Sequence, residues 1–127
     1  MKNTRQFYRC PSCGNIIEVT VNGGGPLNCC GSPMEELTAN TTDAAQEKHV
    51  PSVKREGNRL TVVIGEVPHP MTEEHHISWI AVAQGSRTSR VDLPHTKEAK
   101  AVFTIEEDGP ITVYEYCNLH GLWAIDL

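Results

Sequence analysis

The sequence has no long apolar run, few aromatic side chains and a shortage of positive charge. Its 127 residues contain two Phe, two Trp and three Tyr, and 11 Lys and Arg stand against 16 Asp and Glu, for a formal net charge of −5. This balance excludes a general nucleic-acid-binding protein, which needs Lys and Arg to displace counterions from phosphates. The longest apolar run, Ile77 to Ala83, is far shorter than the roughly 20 residues of a membrane span.

The first ten residues also lack the apolar segment of a secretory signal. They read MKNTRQFYRC, so we expect a cytoplasmic protein in which stable disulfides do not form. The sequence nevertheless holds five Cys and six His. We interpret these residues as metal ligands or redox groups.

The cysteines and histidines are segregated along the chain, and this predicts two modules. Four of the five cysteines lie in the first 30 residues, and all six histidines follow them. Residues 1–37 are rich in turn-forming residues, and a module of fewer than about 40 residues usually needs a metal or disulfides to fold. Residues 38–46 are polar and are interpreted as a linker.

The remainder, residues 47–127, is predicted to be an antiparallel all-β domain. Gly, Pro, Asn or Asp separate short runs with strand character, which are LTVVI, ISWIAVA, AVFTI, ITVYEY and LWAIDL. Strands spaced in this way are typical of a sandwich or a barrel. No segment shows helical periodicity over more than a turn.

The amino-terminal cysteines predict a tetrathiolate metal site. Two residues separate Cys10 from Cys13, so a tight turn can bring both sulfurs to one ion, and Gly14 permits a positive φ there. Cys29 and Cys30 complete a set of four sulfurs that suits zinc or iron. Because these two are adjacent, we expect a distorted tetrahedron. The alternative is a redox C-x-x-C pair with two incidental cysteines.

Five residues of the second module predict a shared mononuclear site. They occur beside turn-forming residues in EKHVP, PHPM, EEHHI and YCNLHG, and they are His49, His69, His75, Cys117 and His120. The alternative is that the histidines are scattered over the surface and that the cysteine is a small core residue.

The doublet of adjacent histidines requires a choice. If the following strand extends back through it, His75 shares a face with Ile77 and Trp79, and His76 points the other way. We take the face that carries Trp79 as the core face and therefore choose His75. His76 and His95 are assigned to roles on the surface or around the site.

The ligand set favours iron. Four imidazoles and one thiolate exceed the four ligands of structural zinc, and a blue copper site would require a Met shortly after the last His. The segment GLWAIDL, which follows His120, contains no Met. A five-coordinate ferrous ion with one open position fits the set better.

With these motifs the sequence resembles the desulfoferrodoxins, the two-iron superoxide reductases, over essentially its whole length. C-P-S-C-G and the vicinal pair Cys29-Cys30 resemble desulforedoxin, and EKHVP, HPM-x-x-x-H and YCNLHG resemble neelaredoxin. The resemblance implies a desulforedoxin-like knuckle, then an immunoglobulin-like antiparallel β-sandwich, in a homodimer. It also implies one-electron reduction of superoxide to hydrogen peroxide, with a rubredoxin-type electron donor.

The resemblance further implies two irons in each chain and a role for each ligand. The amino-terminal iron would be bound by Cys10, Cys13, Cys29 and Cys30. The second iron would have His49, His69, His75 and His120 around it in the equatorial plane and Cys117 on the axis, opposite an open position.

Two residues beside the first histidine ligand complete the predicted site. The net charge of −5 repels superoxide, so capture needs a local positive charge, and the resemblance assigns this role to Lys48. It also implies that Glu47 caps the open position when the iron is ferric. Two other hypotheses stay open: an iron protein that only carries electrons, and a zinc-stapled binding module.

Overall fold

The computed structural model describes residues 1–41 and 46–127, and the side chains of residues 46 and 47 lie outside the description. The chain divides into two compact units, one of residues Thr4–Thr38 and one of Met1–Asn3 with Ala39–Leu127. The central part of the predicted linker, residues 42–45, is outside the described residues. The functional boundaries at residues 37 and 47 stay a prediction.

The small unit is built from short strands and has little apolar interior. Its strands are β1 (Gln6–Arg9), β2 (Ile16–Val19), β3 (Asn28–Cys29), β4 (Ser32–Pro33) and β5 (Glu35–Glu36). They form an antiparallel sheet in the order β2-β1-β5 and a separate β3-β4 hairpin. Within this unit only Phe7 and Cys10 are buried. So small a core cannot by itself offset the entropy of ordering the chain.

The larger unit is an antiparallel sandwich of two sheets. After a single-turn helix, α1 (Gln46–His49), come β6 (Pro51–Glu56), β7 (Arg59–Ile64), β8 (Ile77–Gln84), β9 (Arg87–Asp92), β10 (Lys100–Thr104), β11 (Thr112–Cys117) and β12 (Gly121–Asp126). One sheet has the order β10-β7-β6 and the other β12-β11-β8-β9. The predicted all-β class, with a cysteine knuckle and an immunoglobulin-like sandwich, is confirmed.

Apolar side chains that alternate along the strands pack between the two sheets and form the core. On β7 the side chains of Leu60, Val62 and Ile64 are buried, as the alternating sequence predicts. They belong to one apolar cluster with residues of the facing sheet, such as Ile80 and Val113. Burial of a single Leu or Ile contributes about 1.5–3 kcal/mol to folding, so this cluster stabilises the sandwich.

A β-bulge at the start of β8 corrects one prediction. Cys117 of β11 pairs with Ile77, but Tyr116 pairs with Trp79, so Ser78 is an extra residue in the ladder. The bulge reverses the alternation. Ile77 therefore joins the core between the sheets, whereas Trp79 stacks on Tyr116 with ring centroids 6.1 Å apart. The prediction that Ile77 and Trp79 share a face was wrong.

The described residues include no helix with the length and apolar character needed to cross a membrane.

One core position is occupied by a carboxyl group. Glu115 of β11 is 0% exposed, and neither of its carboxyl oxygens has a hydrogen-bond partner among the residues that the structure describes. Burial raises the pKa of Glu115 well above its usual range, because a charge is costly to remove from water. The folded chain therefore holds a proton there that the unfolded chain releases at lower pH, and stability falls as pH rises above the unfolded pKa.

We predict that Glu115→Gln removes this loss of stability. Between pH 6 and pH 8.5 the free energy of unfolding of the variant, measured in urea, should rise relative to the parent. This relative rise in the free energy of unfolding is limited to about 1.4 kcal/mol per pH unit, up to the pKa of Glu115 in the folded chain. The exposed Glu98→Gln is the control. A difference between Glu115→Gln and the parent that does not change with pH would contradict the prediction.

Candidate metal centres

The first cysteine pair of the small unit lies on a tight turn. The Gly14 amide donates to the Cys10 carbonyl at 2.9 Å, and the Cys13 amide lies 3.4 Å from the Cys10 sulfur. Gly14 has a φ of +80°, which a residue with a Cβ rarely adopts. The turn has the form that the C-x-x-C-G spacing predicts.

The second pair meets the first from the β3-β4 hairpin. The sulfur of Cys29 lies 3.6 Å from that of Cys13 and 4.0 Å from that of Cys30. Cys30 itself has a φ of +54°, so the chain turns sharply between two adjacent cysteines. All four sulfur atoms lie within 4.8 Å of one another. This places the four predicted cysteines around one point.

The charges of these cysteines fit a cation at that point. Hydrogen bonds, foremost from the Cys13 backbone N–H, lower the pKa of Cys10 to about 6. The neighbouring sulfurs of Cys13 and Cys10 raise the pKa of Cys30 to about 12. The Cys10 thiolate therefore forms readily, and its negative charge disfavours ionisation of Cys29 and Cys30. Four thiolates at this spacing require a cation, and zinc and iron are the ions that such a set suits.

In the larger unit four imidazole rings form a square. Neighbouring ring centroids are 4.7 Å apart for His49–His69 and His69–His75, 5.0 Å for His75–His120 and 4.8 Å for His49–His120. The diagonal His49–His75 distance is 6.5 Å. Each neighbouring pair is edge-on, with interplanar angles between 76° and 87°. The four rings therefore surround one centre.

Hydrogen bonds fix which nitrogen of His69 faces this centre. The Nδ1 atom of His69 lies 2.7 Å from the Pro70 carbonyl, so Nδ1 carries the hydrogen and Nε2 keeps its lone pair. That Nε2 lies 3.2 Å from Nε2 of His49. His49 Nε2 in turn lies 3.0 Å from Nδ1 of His120. Burial lowers the pKa of His69 to about 4, which keeps the ring neutral and able to bind a metal.

His75 supplies the most direct test of whether a metal fits. Its Nε2 atom is buried and has no hydrogen-bond partner among the described residues, although it belongs to the cluster that contains His49, His69 and Cys117. A buried polar atom without a partner costs about 1–3 kcal/mol. A metal ion at the centre would satisfy this nitrogen and those of the other three rings at once, so the donor set fits iron.

Cys117 approaches the same centre from the end of β11. Its sulfur lies 3.6 Å from Nε2 of His69 and 3.8 Å from Nδ1 of His120. Burial raises the pKa of the Cys117 thiol, and hydrogen bonds from the backbone N–H groups of Leu119 and His120 act in the opposite direction. These two amides belong to the turn that connects β11 to β12, so one turn positions both the sulfur and the last histidine.

The other predicted residues are described only in part. Lys48 is exposed and precedes the buried His49 on α1. Burial, followed by the charges of neighbouring groups that include Lys48, lowers the pKa of His75. The side chain of Glu47 lies outside the described residues. His76 turns away from the centre, and its ring lies 6.1 Å from that of His95.

Two residues around the cluster were not predicted from the sequence. The side chain of Asn118 accepts from the His76 amide at 2.8 Å and donates to the Glu74 carbonyl at 2.9 Å, which ties the turn after β11 to the histidine doublet. Trp123 lies against His49. The position of Asn118 between Cys117 and His120 could have indicated a role near the site. No motif in the neighbouring sequence indicates such a role for Trp123.

Comparison with known proteins agrees with this geometry. The family model described as "Desulfoferrodoxin" matches residues 41–126, and the model "Desulfoferrodoxin, N-terminal domain" matches residues 2–37. The chain belongs to the desulfoferrodoxin family. A desulfoferrodoxin homolog of Methanothermobacter thermautotrophicus is 49% identical over 123 residues, which cover 97% of this chain and 99% of the relative. A desulfoferrodoxin of Nitratidesulfovibrio vulgaris is 42% identical over 126 residues, which cover 99% of this chain and 99% of the relative.

A solved structure supports the same family assignment. The superoxide reductase of Treponema pallidum superimposes with a TM-score of 0.77 at 29% sequence identity, and the match covers 96% of this chain and 98% of that protein. The match therefore includes residues of both units of the chain.

The two metal centres should be separable by mutation. Cys13→Ser removes one of four sulfurs from the first of the two donor groups and none from the second. We expect the variant to lose the visible bands of tetrathiolate iron and to keep the iron of the larger unit. Iron per chain and the visible spectrum provide the measurement, with Ser12→Ala as the control. Loss of both irons, or of neither, would be inconsistent with this division.

The adjacent histidines offer a matched pair of variants. His75→Ala removes a nitrogen that faces the cluster centre, so the affinity of the larger unit for Co²⁺, measured against a chelator, should fall by at least about ten-fold. His76→Ala removes a ring whose Nδ1 lies 2.9 Å from the Thr72 carbonyl, outside the cluster. This variant should retain the affinity of the parent. Equal losses in the two variants would refute the assignment.

Proposed function

We propose that this chain is a superoxide reductase with two irons. One iron is held by His49, His69, His75, His120 and Cys117, and the other by the four amino-terminal cysteines. The square of four imidazoles with one thiol beside it is the observation that carries the proposal. A purely structural site would need only four ligands.

The reaction takes up one electron and two protons for each superoxide and forms hydrogen peroxide. When bound, the iron of the histidine cluster supplies the electron. The residues of the chain hold the donors in place and leave one side of the square for the substrate. Burial lowers the pKa of His69 and of His75, which favours the neutral form of these two rings. Since the Cys117 sulfur occupies one side, we propose that superoxide approaches from the other.

Lys48 is proposed to draw superoxide towards this site. The net charge of −5 produces a field that repels an anion, so a cation beside the site has a large effect on the rate of encounter. Lys48 fits this role because it is exposed while the next residue, His49, is buried in the cluster. Glu47 is proposed to cap the site in its oxidised resting state.

We further propose a rubredoxin-type electron donor, a homodimer and a cytoplasmic location. The donor is required because each turnover consumes one electron, and the protein must be reduced again before the next. The cytoplasmic location is supported by the cysteines, all five of which lie in the two donor groups and none of which forms a disulfide. Reduced thiols persist in a reducing compartment.

The stoichiometry of the products tests the activity. Reduced protein mixed with superoxide should form hydrogen peroxide with little accompanying dioxygen, whereas dismutation would form one dioxygen for each peroxide. A protein that only carries electrons has no open position, so azide or cyanide would leave its spectrum unchanged. Dioxygen and peroxide in equal amounts, or no reaction with azide, would overturn the proposal.

Charge near the site should control the rate of capture. Lys48→Ala should lower the second-order rate constant with superoxide, measured by pulse radiolysis, by roughly ten-fold or more. It should also weaken the dependence of the rate on ionic strength. Lys100→Ala makes the same charge change on β10 and is the control. An unchanged rate constant in Lys48→Ala would contradict the role proposed for this residue.

A further inference from the structure

The indole of Trp123 contacts two of the proposed iron ligands in different ways. Trp123 is 2% exposed and lies on β12, just after the turn that carries His120. Its ring stacks on that of His49, with centroids 4.9 Å apart and an interplanar angle of 21°. Its Nε1 donates to the backbone carbonyl of His120 at 3.1 Å.

This double contact matters because His49 has weak support from its own element. His49 ends α1, a helix of only four residues. A single helical turn has little stability of its own, since its nucleation is unfavourable. The near-parallel indole therefore fixes the plane of the His49 ring, and ring orientation decides whether Nε2 faces the centre of the cluster.

The second contact acts on His120, the neighbour of His49 in the square. His120 must present Nδ1 to the centre, 3.0 Å from Nε2 of His49, and Nδ1 is the nitrogen nearer the backbone. The position of that atom therefore follows the backbone of the turn closely. The hydrogen bond from Trp123 to the His120 carbonyl holds this backbone, so one indole positions two neighbouring corners of the square.

The strand that carries the indole is itself held on both sides of Trp123. Asn40 donates its backbone amide to the Leu122 carbonyl at 3.0 Å. Its side chain donates to the Ala124 carbonyl and accepts from the Ala124 amide, both at 3.0 Å. These three hydrogen bonds fasten the two neighbours of Trp123 and restrict movement of the indole away from His49.

We infer that Trp123 is a positioning residue for the histidine-cysteine metal site, acting through His49 and His120. The inference rests on the ligand set proposed above and does not depend on the reaction with superoxide. Groups that orient metal ligands without binding the metal typically contribute ten- to a hundred-fold to metal affinity.

Two conservative substitutions test this inference against simple core packing. Trp123→Phe and Trp79→Phe both replace a buried indole by a phenyl ring on the same sheet, but Trp79 stacks on Tyr116, which is not a proposed ligand. Both are made in full-length protein with Cys13→Ser, so that the small unit contributes little metal binding. The probe is Co²⁺, and the readouts are its affinity against a chelator, its visible spectrum and the thermal stability of the metal-free protein.

Trp123→Phe should lower Co²⁺ affinity by about ten-fold and shift the visible bands, whereas Trp79→Phe should lose thermal stability without either change. Trp123→Leu, which also removes the stacking ring, should lower the affinity further. If Trp123→Phe loses only thermal stability and keeps the affinity and spectrum of the parent, Trp123 is a packing residue and the inference fails. If the parent itself shows no Co²⁺ bands from a thiolate and imidazoles, the proposed ligand set fails instead.

Discussion

The convergence of four imidazoles and one thiol on a single point is the constraint on which the larger unit depends. The Nε2 atoms of His49 and His69 are 3.2 Å apart, and Nε2 of His75 has no partner in the part of the chain that the structure describes. Without a metal, one of the two Nε2 atoms must carry a hydrogen for the pair to be favourable, whereas a cation at that point accepts a lone pair from each of these nitrogens. The arrangement is therefore costly for a folded chain without metal and favourable for a chain with it, so metal binding and stability are linked.

The sandwich delivers these donors through its irregular segments. Cys117 and His120 come from the two ends of one tight turn between β11 and β12. The register shift between Tyr116 and Cys117 lies at the same end of the sheet, where it re-aims the residues that precede β8. Regular strands form a rigid support, while the bulge, the turn and the short helix α1 direct the side chains. This separation of support and site is common in β-sandwiches, where function is concentrated in the connections.

Much of the site could be predicted because its ligands lie in short motifs with chemically distinctive residues. The strands of the sandwich could also be predicted, and β7 follows simple alternation. The bulge in β8 could not, because it depends on pairing with β11 and leaves no clear mark in ISWIAVA. Choosing His75 over His76 from that alternation used a wrong premise about Trp79. Trp123 and Asn40 were missed for a similar reason, since their contacts join segments that are distant in sequence.

The central claim is that one iron of this chain is bound by four imidazoles and a single thiolate. X-ray absorption at the iron edge of reduced Cys13→Ser protein, in which the iron of the larger unit remains, tests this claim most directly. The account predicts a shell of nitrogen scatterers with imidazole multiple scattering and one sulfur at a longer distance. A shell without sulfur, or one with several sulfurs, would contradict it.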